Sequence, residues 1–316
     1  MTAKKENKMI SVLVSYASGT EKMLDVCLKS IARHKAGEPF EVIVLTGDDL
    51  AYKEAKKVSG NKAEVRMYDT TGAGSSSGRH ARMLDSAVKE LKTEYFLTLD
   101  SDCFPVADEW LSCLMKMLKT PNVEVTGICW PWIPPPATTE RNTIEWRVRR
   151  QHCWNNTQVA CQLMRTEYYL AKGLMFADPE GDDTNFGLMD KVHADGASVI
   201  GFLPTRCALP DDGIDSSVDP ECNRYVCVIY GDLIYHHGGA SRETKGEFSV
   251  QRGLYDKARE RVIAEEGAEW ILLPENSYCY KMDNEEVVAQ EKMRMFYQQI
   301  PAFLMTHNSL FGGGWV

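Results

Sequence analysis

Tyr95-Phe96-Leu97-Thr98-Leu99-Asp100-Ser101-Asp102 is the stretch that decides the fold class. Residues 95–99 are aromatic, apolar or β-branched, the kinds that fill a buried strand. The run ends on two aspartates separated by one serine. Alternate side chains of an extended chain point to the same side, so Asp100 and Asp102 can aim both carboxylates at one point. Like charges so placed repel unless something positive lies between them. A hard divalent cation, Mn2+ or Mg2+, takes oxygen ligands and keeps positions open for phosphate oxygens. Read alone, the three residues are equally a solvated Asp-Ser-Asp turn; the apolar strand in front of them favours the metal site.

Upstream, strand and helix patterns alternate. Residues 9–14 form a short β-branched run that reads as a strand, and from Glu21 the apolar residues Leu24, Cys27, Leu28 and Ile31 recur at helical spacing. Residues 40–45 read as a second strand closed by Gly47-Asp48-Asp49, 51–58 as a short helix and 63–68 as a third strand. Residues 71–78, rich in glycine and serine, read as a flexible loop. His80, Leu84, Ala87, Val88 and Leu91 then trace one helical face. The alternation implies a parallel α/β sheet with right-handed crossovers. In such sheets ligands bind beyond the carboxyl ends of the strands, where Asp100 and Asp102 lie.

Downstream, Asp108 is placed to cap a helix with Leu111, Leu114, Met115 and Leu118 on one face. Residues 123–130 read as a strand, 131–136 as a proline-rich break, 144–154 as a helix and 157–164 as a strand. Asp182 and Asp183 precede a helix over 184–193, and 198–203 and 226–237 read as further strands. Past Ser241 the texture becomes helical. The expected organisation is one α/β domain over 1–242 and a helical C-terminal extension over 243–316.

The net charge of −9 leaves no basic imprint of a nucleic-acid cradle, so nucleic acid is not favoured as a partner. The ten cysteines include no CxxC pair, which removes a zinc or thioredoxin-like reading and points to a reducing, cytoplasmic compartment. The apolar run at 9–14 is too short for a signal-peptide core, and no stretch approaches transmembrane length.

A family resemblance rests on several stretches in order. Ile10-Ser11-Val12-Leu13-Val14-Ser15-Tyr16, the helix carrying Leu28-Lys29-Ser30-Ile31, and Phe40-Glu41-Val42-Ile43-Val44 resemble the opening of GT-A fold glycosyltransferases of the family 2 type. Gly78-Arg79-His80-Ala81-Arg82 followed by the Asp100 strand resembles that family's run into its metal motif. Gln158-Val159-Ala160-Cys161-Gln162-Leu163-Met164-Arg165 resembles the strand bordering its acceptor site. The resemblance spans roughly residues 9–242.

It implies a GT-A (Rossmann-like) fold, with a mixed, mainly parallel sheet flanked by helices. It also implies an inverting, metal-dependent transfer of sugar from a nucleotide-diphosphate sugar to an acceptor hydroxyl. The acidic pair that the family places at a helix start matches Asp182 and Asp183, with Asp183 as catalytic base and Asp182 where the family usually has Glu. Read from the residues alone, the pair is preferably a helix N-cap. The family's late histidine ligand matches Tyr235-His236-His237-Gly238. Neighbouring strand side chains point oppositely, so if one strand runs through both histidines a single one reaches the metal; the resemblance favours His236, which precedes the glycines as in the family pattern, over His237.

The same resemblance makes Tyr16 and Asp48 contacts of the nucleotide and puts Arg82 and Ser101 near the diphosphate, with a UDP-sugar as the commoner donor. Trp130 and Trp132, with the cluster Arg147, Arg150 and Trp154, form an aromatic and basic set suited to a carbohydrate or other hydroxyl acceptor. Its plainer reading is a helix with one packed and one solvated face. Such groups also suit a flipped nucleobase, which keeps a hydroxylated base in DNA as an alternative acceptor. A nucleotidyltransferase, or a non-catalytic nucleotide-sugar-binding protein, would use a similar fold. Ser15-Tyr16-Ala17-Ser18-Gly19 is a poor phosphate loop for the first. Gly74-Ser75-Ser76-Ser77-Gly78 matches the G-x-S-x-G pattern of serine hydrolases, but several residues separate it from the preceding strand.

Overall fold

The structure, a computed structural model, describes residues 9–129, 157–177, 184–202, 204–207 and 228–238. The expected alternation forms over the first hundred residues: β1 (Ile10–Ser15), α1 (Glu21–Arg33), β2 (Phe40–Thr46), α2 (Asp49–Ser59), β3 (Glu64–Met67), α3 (Ser76–Glu90) and β4 (Tyr95–Asp100). There follow β5 (Cys103–Pro105), α4 (Trp110–Leu118), β6 (Val123–Cys129), β7 (Thr157–Arg165), α5 (Thr166–Ala171) and α6 (Phe186–Ala194). Then come β8 (Ser198–Phe202), β9 (Pro204–Cys207), β10 (Val228–Tyr230) and β11 (Ile234–His236).

Seven strands make the main sheet in the order β3-β2-β1-β4-β7-β6-β8, and β7 runs antiparallel to both of its neighbours. This is the mixed, mainly parallel, helix-flanked sheet implied by the resemblance. Strands β5, β11, β10 and β9 form a smaller antiparallel sheet. The alternating side chains of β1 and β4 feed two cores. Val12, Val14, Leu97 and Leu99 pack with α1 and α4 on one face. Leu13 and Phe96 pack with α3, α5 and α6 on the other. Each fully buried aliphatic or aromatic side chain is worth roughly 1.5–3 kcal/mol, so these two strands form the rigid platform of the sheet. Chain growth reverses direction between β1 and β4, which makes their shared carboxyl end a topological switch point.

A buried carboxylate braces the second core. Asp85 of α3 accepts hydrogen bonds from the Tyr169 hydroxyl and from the backbone N–H groups of Phe176 (2.7 Å) and Ala177 (3.2 Å). Burial first, then the Asp85 charge, pushes the Tyr169 hydroxyl far above its ordinary range. Gly127 marks a second tight contact: a Cβ there would stand 2.1 Å from the Cys161 carbonyl oxygen, so only glycine lets β6 approach β7 at this register shift.

Four local expectations are corrected. The strand expected over 226–237 is a hairpin, because Gly231 (φ 59°) and Asp232 (φ 56°) turn the chain between β10 and β11. Asp108 is not the cap of α4; the cap position is Glu109 in the left-handed region, and Asp108 Oδ1 accepts from Lys35 N–H at 2.9 Å. The glycine-serine loop is shorter than its composition implies, since Ser75 Oγ accepts from Gly78 N–H and starts α3 at Ser76. The N-cap position of α6 is Asn185 rather than Asp182 or Asp183.

Candidate active site

The site grows from the ends of β1 and β4. Their parallel register pairs Ser15 with Asp100, and Ser101 N–H donates to the Ser15 carbonyl at 3.0 Å. The chain then turns through Asp102 into β5. β5 pairs with β11 so that Cys103 stands opposite His236, and His237 N–H donates to the Asp102 carbonyl at 2.9 Å. The β10–β11 hairpin thereby delivers a histidine beside the aspartate motif across more than a hundred residues of chain.

The consequence is a three-residue cluster. One ligand atom each from Asp100, Asp102 and His236 lies within 4.8 Å of the others. His236 Nε2 is 3.9 Å from Asp102 Oδ1, with both side chains largely buried, at 10% and 7% exposure. Asp100 is 29% exposed, so the cluster opens to solvent on its side. Ligands at about 2 Å from a small hard cation stand roughly 3–4 Å apart, and the 3.9 Å between His236 and Asp102 falls in that range.

His236 Nε2 is the ring atom that faces Asp102, and Nδ1, the other ring nitrogen, is buried without a hydrogen-bond partner among the described residues. The charge of the site fits a cation. Below the cluster, burial pushes the Cys27 thiol far above its ordinary range, and the charges of Asp102 and then Asp100 push it further. The motif therefore casts a negative field into the protein.

His237 is not brought to this cluster. Its ring is fully buried, and Nδ1 shares a 2.8 Å hydrogen bond with the Tyr235 hydroxyl. Of the two histidines, His236 stands with the carboxylates, the one that the family pattern favoured.

The other expected residues fall as follows. Tyr16 follows β1, buried, and its hydroxyl donates to Glu54 Oε2 at 2.7 Å; Gly19 N–H donates to the same oxygen at 3.1 Å. Burial and then Glu54 hold the Tyr16 hydroxyl far above its usual range. Asp48 is the N-cap of α2, its Oδ1 accepting from Ala51 N–H at 2.8 Å. Arg82 is exposed on α3 and donates to the Thr71 carbonyl at 2.8 Å. Ser101 is buried between the two aspartates. Asp182, Asp183, Trp130, Trp132, Arg147, Arg150 and Trp154 lie outside the described residues. The hydrolase pattern dissolves: Ser75 is a helix cap and Ser76 opens α3, eight residues beyond the last residue of β3 at the nearer serine.

Sequence reasoning gave no role to His80. Its Nε2 shares a 2.9 Å hydrogen bond with Ser15 Oγ and stands 3.4 Å from Asp100 Oδ1. The signal lay in the register: Ser15 ends the strand that pairs with Asp100, and His80 sits in the helix that crosses over both.

The family model described as Glycosyl transferase family 2 matches residues 11–176, more than half of the 316-residue chain. The chain belongs to glycosyl transferase family 2. That places it in a family of enzymes, and its matched region contains the Asp100 strand and the β7 strand beside it. No curated protein matches the chain.

Among solved structures, S. aureus TarS residues 1–349 is similar at 18% identity and a TM-score of 0.39, over 58% of this chain and 54% of that one. The same TarS fragment in complex with UDP-GlcNAc gives 18% identity and a TM-score of 0.36, over 57% of this chain and 52% of that one. The 4-diphosphocytidyl-2C-methyl-D-erythritol synthase of Anaerococcus prevotii DSM 20548 is similar at 16% identity and a TM-score of 0.42, over 63% of this chain and 90% of that one. The family 2 chain thus spans about half the length of the TarS fragment it matches. These distant likenesses add nothing to the family assignment. No helix among the described residues is long and apolar enough to cross a membrane.

Proposed function

We propose that this family 2 chain is an inverting, divalent-metal-dependent glycosyltransferase. It takes a sugar from a nucleotide-diphosphate sugar, a UDP-sugar in the first instance, and transfers it to a hydroxyl on a glycan or other acceptor. The observation that carries the reading is the convergence of Asp100 at the end of β4, Asp102 in the turn after it and His236 of β11, at the sheet's switch point. Two carboxylates and an imidazole are a donor set for Mn2+ or Mg2+. An ion held there supplies Lewis-acid neutralisation of the diphosphate as it departs.

The remaining work belongs to side chains. Asp183 takes the proton from the acceptor hydroxyl, which is otherwise a poor nucleophile. Attack from the face opposite the departing diphosphate inverts the anomeric carbon. Asp182 stands beside it, at the position of the family's other acid. Tyr16, Asp48, Arg82 and Ser101 border the donor; Trp130, Trp132, Arg147, Arg150 and Trp154 are assigned to the acceptor. Catalysis belongs to 1–242, with 243–316 as a helical extension, and the working compartment is the cytoplasm. The free thiols of Cys27, Cys103, Cys113, Cys129 and Cys161 support a reducing one.

Thermal-shift measurements with UDP-, GDP- and dTDP-sugars in Mn2+ test the donor. A ligand at a hundred times its Kd adds about 2.7 kcal/mol, which for a domain of this size raises Tm by about 5 °C or more. The expected result is such a shift with a UDP-sugar and Mn2+, abolished by chelator. A flat response to every sugar nucleotide would sink the reading.

A further inference from the structure

We propose that His80 is the positioning residue for Asp100, the more exposed carboxylate of the cluster; the inference rests on the metal reading above. Leu13 and Phe96 pack on the α3 face of the sheet, and alternation carries Ser15 and Asp100 to that same face. α3 crosses there and reaches both from one ring atom. His80 Nε2 shares its 2.9 Å hydrogen bond with Ser15 Oγ and lies 3.4 Å from Asp100 Oδ1. Asp102 and His236 are held by burial, whereas Asp100 sits at the open side of the cluster.

A carboxylate at an open edge turns about two side-chain bonds, and fixing it on ion binding costs rotamer entropy. Contact with His80, itself anchored on Ser15, restricts that turning in advance. One carboxylate has lone pairs enough to meet an imidazole on one side and a cation on the other. His80 is not a fourth ligand: the cluster that closes within 4.8 Å is Asp100, Asp102 and His236 without it. Nor is it simply core, since its side chain is 21% exposed while Ala81 and Leu84 supply the apolar packing of that turn. Partners of this kind, one step behind the ligands, typically account for 10–100-fold in metal affinity.

The test is Mn2+ binding followed by the electron paramagnetic resonance of the free ion, with Mn2+ alone and with excess UDP, and with Tm in chelator as the folding control. His80→Ala is expected to weaken Mn2+ binding about 10–100-fold with Tm in chelator unchanged. His80→Gln, which restores a donor of similar reach, is expected to recover most of the affinity. Unchanged Mn2+ affinity in His80→Ala, with the wild type binding, overturns the inference and leaves the metal reading standing. A loss that His80→Gln does not recover and that follows a fall in Tm also overturns it. No Mn2+ binding by the wild type under either condition overturns the metal reading and this inference together.

Discussion

Asp102→Ala is expected to lower sugar transfer about a thousandfold while the protein stays folded. Stabilising a departing diphosphate through a bound ion is worth several kcal/mol, and each 1.36 kcal/mol is tenfold in rate. Asp102 is the better-buried carboxylate of the cluster and the one facing His236, so its loss removes the inner half of the donor set. The link between β5 and β11 at this point is the Asp102 backbone carbonyl, which accepts from His237 N–H in any variant. Two like charges near each other weaken the metal-free protein. Tm in chelator should therefore stay level or rise slightly, the usual relation between an active site and stability. Turnover assays paired with melting curves check both halves. A variant that keeps its activity, or loses it only by unfolding, contradicts the assignment.

The second large effect belongs to Asp183. A positioned general base is worth about a hundredfold to ten-thousandfold, so Asp183→Ala should lose that much turnover with substrate affinity little changed. The rival role, a helix cap, makes a different prediction: about 1 kcal/mol of stability and a minor effect on rate. Asn185 occupies the N-cap position of α6 without a side-chain cap hydrogen bond, its amide donating instead to the Thr157 carbonyl at 2.6 Å, and Asp183 lies outside the described residues. On the base reading Asp183→Ala is expected to melt like the wild type. Proton NMR of the product supplies an independent check, since the proposed attack gives the inverted anomer. A retained configuration, or full activity in Asp183→Ala, would remove the base.

The sheet was legible wherever periodicity was strong. β1, α1, β2, β4 and the buried face of α4 follow from apolar spacing, and their order gives the parallel core. The antiparallel β7 was not readable from its own residues, because a strand buried on both faces looks the same in either direction. The region 226–237 was misread for a specific reason. Gly231-Asp232 is a two-residue hairpin signal, but the apolar residues on both sides make one continuous strand pattern.

The site shows the same division. Asp100 and Asp102 could be paired from two-residue spacing alone. His236 entered through resemblance, since its approach depends on β11 pairing with β5, a contact between residues far apart in sequence. The same non-local pairing separates His236 from His237. His80 was invisible as a site residue: in the sequence it is one polar position on an amphipathic helix, and only the register of β1 with β4 puts Ser15 and Asp100 beneath it.

The most direct measurement of the central claim is release of UDP from a UDP-sugar accepted in the thermal-shift panel, followed with Mn2+ and again after chelation. Turnover is expected with the ion, with loss of at least about a hundredfold on chelation and full recovery when Mn2+ is restored. Turnover unaffected by chelator would contradict a metal site at Asp100, Asp102 and His236.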